Sequence, residues 1–312
     1  MSKNFNPEEI KTDFEKEEII LGIDEAGRGP TLGPMVYACA YWSKNNDENI
    51  KSYFGFDDSK KLSREKREKL YIQIEKYNNI IKYEKIIISA EEISSKMLKR
   101  RKISLNEISQ EAAFKLILTS KRKGVNIKYI RVDTVGPAQK YENYLKKLIN
   151  DESINIKVES KADAKYPCVS AASIVAKVTR DNIVDNWEFD DKNTGSGYPS
   201  DPYTKAWLQR NFNNVFGYPN FIRFSWKTVS HIFKEKNYEC QWENYNEEEE
   251  LEKEKQLKNK FKKDIKHTLD NENQNNDIDK KSNCNINENF KIENLIPQNF
   301  YQYSNISLEA DL

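Results

Sequence analysis

Four acidic residues stand where chemistry can be done: Asp24, Glu25, Asp133 and Asp163. Asp24 and Glu25 close an apolar run, Ile19-Ile-Leu-Gly-Ile23. A glycine-rich turn, Gly27-Arg28-Gly29-Pro30, follows at once. Asp133 repeats the pattern: an apolar run over residues 125–132, then the carboxylate, then Gly136. Asp163 follows a third apolar stretch, 154–158, and precedes a run of small residues. Carboxylates with water are the natural ligands of hard cations such as Mg²⁺ or Mn²⁺. Glycines beside them let a ligand approach the backbone. The expected ligand is a sugar-phosphate with a metal ion. Any one of these acids alone reads as an ordinary exposed side chain; the four together in these contexts do not.

Such carboxylates need strands to carry them. Residues 19–24 read as a buried strand and Met35–Trp42 as a second, with Gly33 and Pro34 turning between them. Further strands are expected over 80–88, 125–132 and 154–158. Two parallel strands ending at Asp24 and Asp133 bring those carboxylates together, at the strand ends where open α/β sheets place their sites. Helices are expected over 63–77, from Ser89, from Ser104, over 139–149, over 169–187 and over 204–211. Ser170-Ala-Ala-Ser-Ile-Val-Ala176 is made of small residues and packs tightly, so its serines read as core. Tyr198, in Gly195-Ser-Gly-Tyr-Pro, is held by turn residues and open to a partner.

These stretches, in order, are DEAGRGPTLGPMVYA, DDSKKL, RVDTVGP, SKADAKYPCVSAASIVAKVTRD, GSGYPSDPYTKAWL and FSW. Over roughly residues 17 to 235 the chain resembles the catalytic subunits of eukaryotic type 2 ribonuclease H, in the ribonuclease HII family. The resemblance implies a ribonuclease H-like α/β fold, with a mixed central sheet flanked by helices and further helices appended C-terminally. It implies a metal-dependent nuclease of RNA/DNA hybrids that also incises 5′ of single ribonucleotides in duplex DNA, leaving 5′-phosphate and 3′-hydroxyl ends. Asp24 would be shared between two Mg²⁺ or Mn²⁺ ions, and Glu25, Asp133 and Asp163 would complete the shell. Gly27, Arg28 and Gly29 would grip the 2′-hydroxyl and adjacent phosphate, and Tyr198 would touch that hydroxyl and stack on the next sugar. Ser59, Lys60 and Asn106 would be further contacts to the nucleic acid. The resemblance also implies accessory subunits B and C, docked on the C-terminal region, and a nuclear role in removing ribonucleotides during replication and repair.

Composition bounds the rest. The chain has 312 residues and a net charge of +1 that conceals an asymmetry. Before Glu239 there are 41 Lys+Arg against 33 Asp+Glu; from Glu239 onward there are 10 against 17. A basic body suits a polyanion. Two histidines, one of them His267 in the polar tail, make histidine acid–base catalysis a poor expectation. Four scattered cysteines give neither a zinc pattern nor a disulfide framework. Without a long apolar run or a signal-peptide pattern, the chain reads as soluble and intracellular. Four regions are expected: a flexible N-terminus (1–16), the catalytic domain (17–240), a disordered Asn/Lys/Glu-rich linker (241–290) and a C-terminal docking segment (291–312). Lys99-Arg-Arg-Lys102 reads as a solvated or duplex-facing patch rather than a localisation signal. The rival readings are a type 1 ribonuclease H or integrase-like nuclease, which would not require Tyr198, and a non-catalytic scaffold holding hybrid duplex.

Overall fold

The apolar run from Ile19 forms β1 (Ile19–Ala26), in which every residue except Glu25 is buried. The structure, a computed structural model, describes residues 5–56 and 62–236. Ser59, Lys60, the linker at 241–290 and the docking segment at 291–312 lie outside the described residues.

β1 is the middle strand of a five-stranded sheet of order β3-β2-β1-β4-β5. β2 (Met35–Ser43) and β3 (Lys82–Ile88) run antiparallel to their inner neighbours. β4 (Ile127–Asp133) and β5 (Asn155–Glu159) add parallel strands on the other side. The sheet is therefore mixed, as expected. β1 and β4 are parallel neighbours with Ile23 opposite Val132, so Asp24 and Asp133 leave the sheet side by side.

Alternation sends odd residues of β1 to one face and even residues to the other. Ile19, Leu21 and Ile23 pack under α4 (Leu105–Arg122) and α5 (Ala138–Ile149), with α3 (Ala90–Leu98) at the side. Ile20, Ala26, Val36 and Ala38 pack under α7 (Pro167–Asp185), with α1 (Asp47–Phe54) and α2 (Arg64–Lys76) beside it. The short α6 (Ala162–Lys165) links β5 to α7. Gly22 lets α7 come this close: a Cβ there would lie 2.2 Å from the Cys168 carbonyl carbon and 2.3 Å from the Val169 nitrogen. The small residues of α7 are buried throughout its first half, which matches their reading as core, with one exception at Ser173 taken up below.

Two appended helices, α8 (Pro202–Arg210) and α9 (Lys227–Lys236), build a third cluster around Trp207, Leu208, Ile222 and Ile232. Helix starts follow local chemistry. Ser63, Ser89, Ser104 and Asp201 each accept a backbone N–H of the first turn, and Ser104 with Glu107 completes a capping box. Pro167, expected just ahead of its helix, lies in the first turn of α7, where its missing N–H costs nothing. In the segment expected to fray, residues 5–16, the backbone is tied to neighbours. The Thr12 N–H donates to Asn79 O at 3.2 Å, and the Asn126 N–H donates to Phe14 O at 2.9 Å. Phe5, Ile10 and Phe14 pack on the core, and this apolar burial opposes fraying. Among the described residues, no helix is long and apolar enough to cross a membrane.

Candidate active site

Asp24 is 5 % exposed and turns to the α7 face, where Ser173 hydrogen-bonds its carboxyl. The Glu25 N–H donates to Asp24 Oδ1 at 2.7 Å. Burial first, and then the charge of Asp133, push the Asp24 carboxyl up from 3.8 to about 7. Glu25 turns to the opposite face. Burial, followed by the charges of Asp24 and Asp133, holds its carboxyl well above the usual range. Asp133 Oδ1 accepts the Ala162 N–H at 2.9 Å, which ties the end of β4 to the start of α6. That tie, with Lys161 in the left-handed region at φ 57°, folds the chain back and buries Asp163 to 3 % exposure. Asp163's charge acts on Asp24 in turn. Three segments of the fold thus bring four carboxylates to one sheet edge.

Among the described residues, no three His, Cys, Asp or Glu side chains stand arranged to hold a metal ion. The donor chemistry does fit a hard divalent cation. The donors are all oxygens, and negative charge is crowded in low dielectric. Glu25 Oε2 is buried with no hydrogen-bond partner among the described residues.

The neighbouring turn is held by residues far along the chain. Gly27 has φ +76°, and a Cβ there would strike the Arg180 side chain at 2.3 Å. Arg223, fully buried, donates Nη1 to Arg28 O at 2.9 Å, Nε to Gly33 O at 2.9 Å, and Nη2 to Gly27 O. Trp226 Nε1 donates to Gly29 O at 3.0 Å. A trans peptide points its N–H opposite to its C=O. The amides of Arg28 and Gly29 are therefore directed away from Arg223. Thr31 N donates to Gly197 O at 2.7 Å, and this brings the next residue, Tyr198, over the turn. Tyr198 is 49 % exposed, and a Cβ on Gly29 would sit 3.0 Å from its ring.

The Arg28 guanidinium turns back to the start of α4. It donates to Ser109 Oγ and Asn106 Oδ1, and at 3.4 Å to Leu105 O. Asn106, expected to face nucleic acid, thus has its carbonyl oxygen engaged by Arg28. The structure brings together Asp24, Glu25, Asp133, Asp163, the Gly27–Gly29 turn and Tyr198, with Asn106 joined to the turn through Arg28.

Sequence reasoning missed Arg223, Arg180 and Ser173. An arginine inside the aromatic stretch Phe221-Ile-Arg-Phe-Ser-Trp226 was the available signal for the first. Burial lowers Arg223 to about 9 and also lowers Arg180, whose Nε is buried without a hydrogen-bond partner among the described residues. Both cations lie behind the turn, where Arg180 acts on Arg223 and both face the Tyr198 phenol.

Known proteins share this arrangement. Residues 21–229 match the family model described as "Ribonuclease HII". The ribonuclease H2 A-subunit of Dictyostelium discoideum is 47% identical over 246 residues, covering 75% of this chain and 84% of the relative. The Homo sapiens A-subunit of ribonuclease H2 is 42% identical over 234 residues, covering 73% and 77%. The crystal structure of ribonuclease H2 from Pyrococcus horikoshii OT3 superposes with a TM-score of 0.60 at 34% identity, covering 70% of this chain and 98% of that one. A buried carboxylate cluster on a mixed sheet, a braced glycine turn and these matches agree: the chain is a ribonuclease H hydrolase and belongs to the ribonuclease HII family.

Proposed function

We propose that this chain cleaves the RNA strand of RNA/DNA hybrids and also incises 5′ of a single ribonucleotide in duplex DNA, leaving 5′-phosphate and 3′-hydroxyl ends. The observation that carries the reading is the contact of Tyr198 with Gly29, beside amides aimed by Arg223 and next to the carboxylates. Only the 2′-hydroxyl distinguishes RNA from DNA. The amides of Arg28 and Gly29 bind that hydroxyl and its phosphate, and the half-exposed Tyr198 ring packs on the following sugar. A deoxyribose fits against the ring, while a second 2′-hydroxyl crowds it. This favours the junction where one ribonucleotide meets DNA.

Asp24, Glu25, Asp133 and Asp163 hold two divalent cations, Mg²⁺ or Mn²⁺, which supply water activation and stabilise the leaving oxygen. Asp24, which feels the charges of both Asp133 and Asp163, is the shared ligand. The side chains supply no nucleophile of their own; they fix charge and orientation. Arg180 and Arg223 put positive charge behind the turn that receives the phosphate. Asn106 steadies the turn through Arg28. Ser59 and Lys60 contact the duplex backbone as an extension of the same cleft. The relatives are named as one lettered subunit of ribonuclease H2, which supports an assembly with accessory subunits B and C through the C-terminal region, acting in the nucleus in replication and ribonucleotide removal.

The test is a duplex carrying one ribonucleotide, incubated with Mg²⁺ and the full chain, with and without accessory subunits. A nick 5′ of the ribonucleotide that is lost in Asp24→Asn supports the reading. Cleavage of continuous hybrids alone sinks the single-site claim. Absence of metal-dependent turnover in every combination leaves the scaffold reading in its place.

A further inference from the structure

Glu25 has a second environment, on the side of the sheet away from Asp24. In the antiparallel pairing of β1 with β2 it lies directly opposite Tyr37. Directly opposed residues project to the same face, with Cβ atoms about 5 Å apart. Tyr37 and Tyr141 both belong to the core on that face, and each is 1 % exposed. Tyr141 sits in the first turn of α5, whose lead-in loop begins at Asp133. The Glu25 charge reaches both phenols and, after burial, is the second largest influence raising them.

Among the described residues, three buried oxygens here have no hydrogen-bond partner: Glu25 Oε2, Tyr37 Oη and Tyr141 Oη. A neighbouring hydroxyl, Ser109 Oγ, already donates to Leu105 O at 2.8 Å and accepts from Arg28. A phenylalanine would fill either tyrosine's space without a buried polar atom. Two hydroxyls placed in the field of one carboxylate form a set: one acceptor oxygen and two groups that both donate and accept. A buried water needs two to four such partners. Glu25 is also the longest of the four carboxylates, with one more rotatable bond than an aspartate, so its head group most needs an external restraint.

We propose that Tyr37 and Tyr141 are positioning residues for Glu25, sharing a buried water with its inner oxygen and so holding the outer oxygen toward the cleft for a divalent cation. The inference rests on the metal-binding role proposed above for the carboxylates. The phenols touch neither substrate nor cation; they act through Glu25.

The experiment uses the full chain as wild type, Tyr37→Phe, Tyr141→Phe and the double variant. Mn²⁺ alone is titrated calorimetrically, and turnover on a hybrid is followed against Mn²⁺ and against substrate. Each single variant is expected to weaken Mn²⁺ binding about tenfold, the size seen when a group orienting a metal ligand is lost. Substrate KM at saturating metal should stay unchanged. The double variant should be no weaker than the worse single, because the hydroxyls serve one network. Melting curves in chelator confirm that the variants fold. Variants that bind Mn²⁺ as wild type does, whatever their melting temperature, overturn the proposal, as do strictly additive losses. If wild type takes up no Mn²⁺, the metal-binding role itself fails, and this inference falls with it.

Discussion

Asp24→Asn separates the chemistry of the site from its strain. Burial, with the charges of Asp133 and Asp163, pushes the Asp24 carboxyl from 3.8 to about 7. At about 1.4 kcal/mol per pH unit, holding that group ionised costs about 4 kcal/mol of folding stability in metal-free protein. The sign follows from the direction of the shift. The folded group binds its proton more tightly than the unfolded one, so its stabilising contribution is complete below about pH 4. It is lost as pH rises through about 7. Asparagine does not titrate. The stability of the variant relative to wild type should therefore climb between pH 4 and pH 8 by up to about 4 kcal/mol. Urea unfolding in chelator at four pH values measures this, and hydrolysis by the variant should be abolished throughout. Millimolar Mg²⁺ should restore the wild type at pH 8 and leave the variant unchanged. A difference that stays flat from pH 4 to pH 8 would refute the claim that these carboxylates are crowded and desolvated.

Other substitutions probe the scaffold. Arg223→Leu removes donors to three carbonyls and should cost about 3 kcal/mol or more of unfolding free energy; a loss under about 1 would show that the turn is held by other contacts. Gly22→Ala places a methyl against the start of α7 and should destabilise by about 2 kcal/mol or more, with Ser173 displaced from Asp24 in a crystal structure. Gly29→Ala meets only the movable edge of the Tyr198 ring, so stability should change by less than about 1 kcal/mol. Incision at single ribonucleotides should nevertheless fall, and Tyr198→Ala should lower it further while sparing continuous hybrids.

What could be read from the chain was what repeats along it. β1 and β4 announce themselves as apolar runs ending in carboxylates, and their parallel pairing follows from the long connection between them. Tyr198 was visible because glycine and proline surround it. Contacts between distant segments left no local trace. Arg223 sits among aromatics and looks like a surface cation, yet it is fully buried because three turn residues supply it with carbonyls. The inward turn of Arg28 depends on where α4 begins in space. Asp163 was placed near the site, but the left-handed Lys161 that delivers it shows no preference for that conformation in its side chain. Ser173 was read as packing because small residues do pack; only its meeting with Asp24 gives it a second task.

The brace from Arg223 also imposes an order in time. The turn at Gly27–Gly33 is among the first parts of the domain to be synthesised, and its carbonyls are secured by residues some two hundred positions later. A ribosome that has completed β1 through α7 has produced all four carboxylates but not the arginine that aims the amides beside them. A chain released early, by truncation or a premature stop before Arg223, would keep its acidic ligands and lose the backbone geometry that selects RNA. Acquisition of selectivity thus belongs to the end of translation, and the C-terminal helices serve as its closing step.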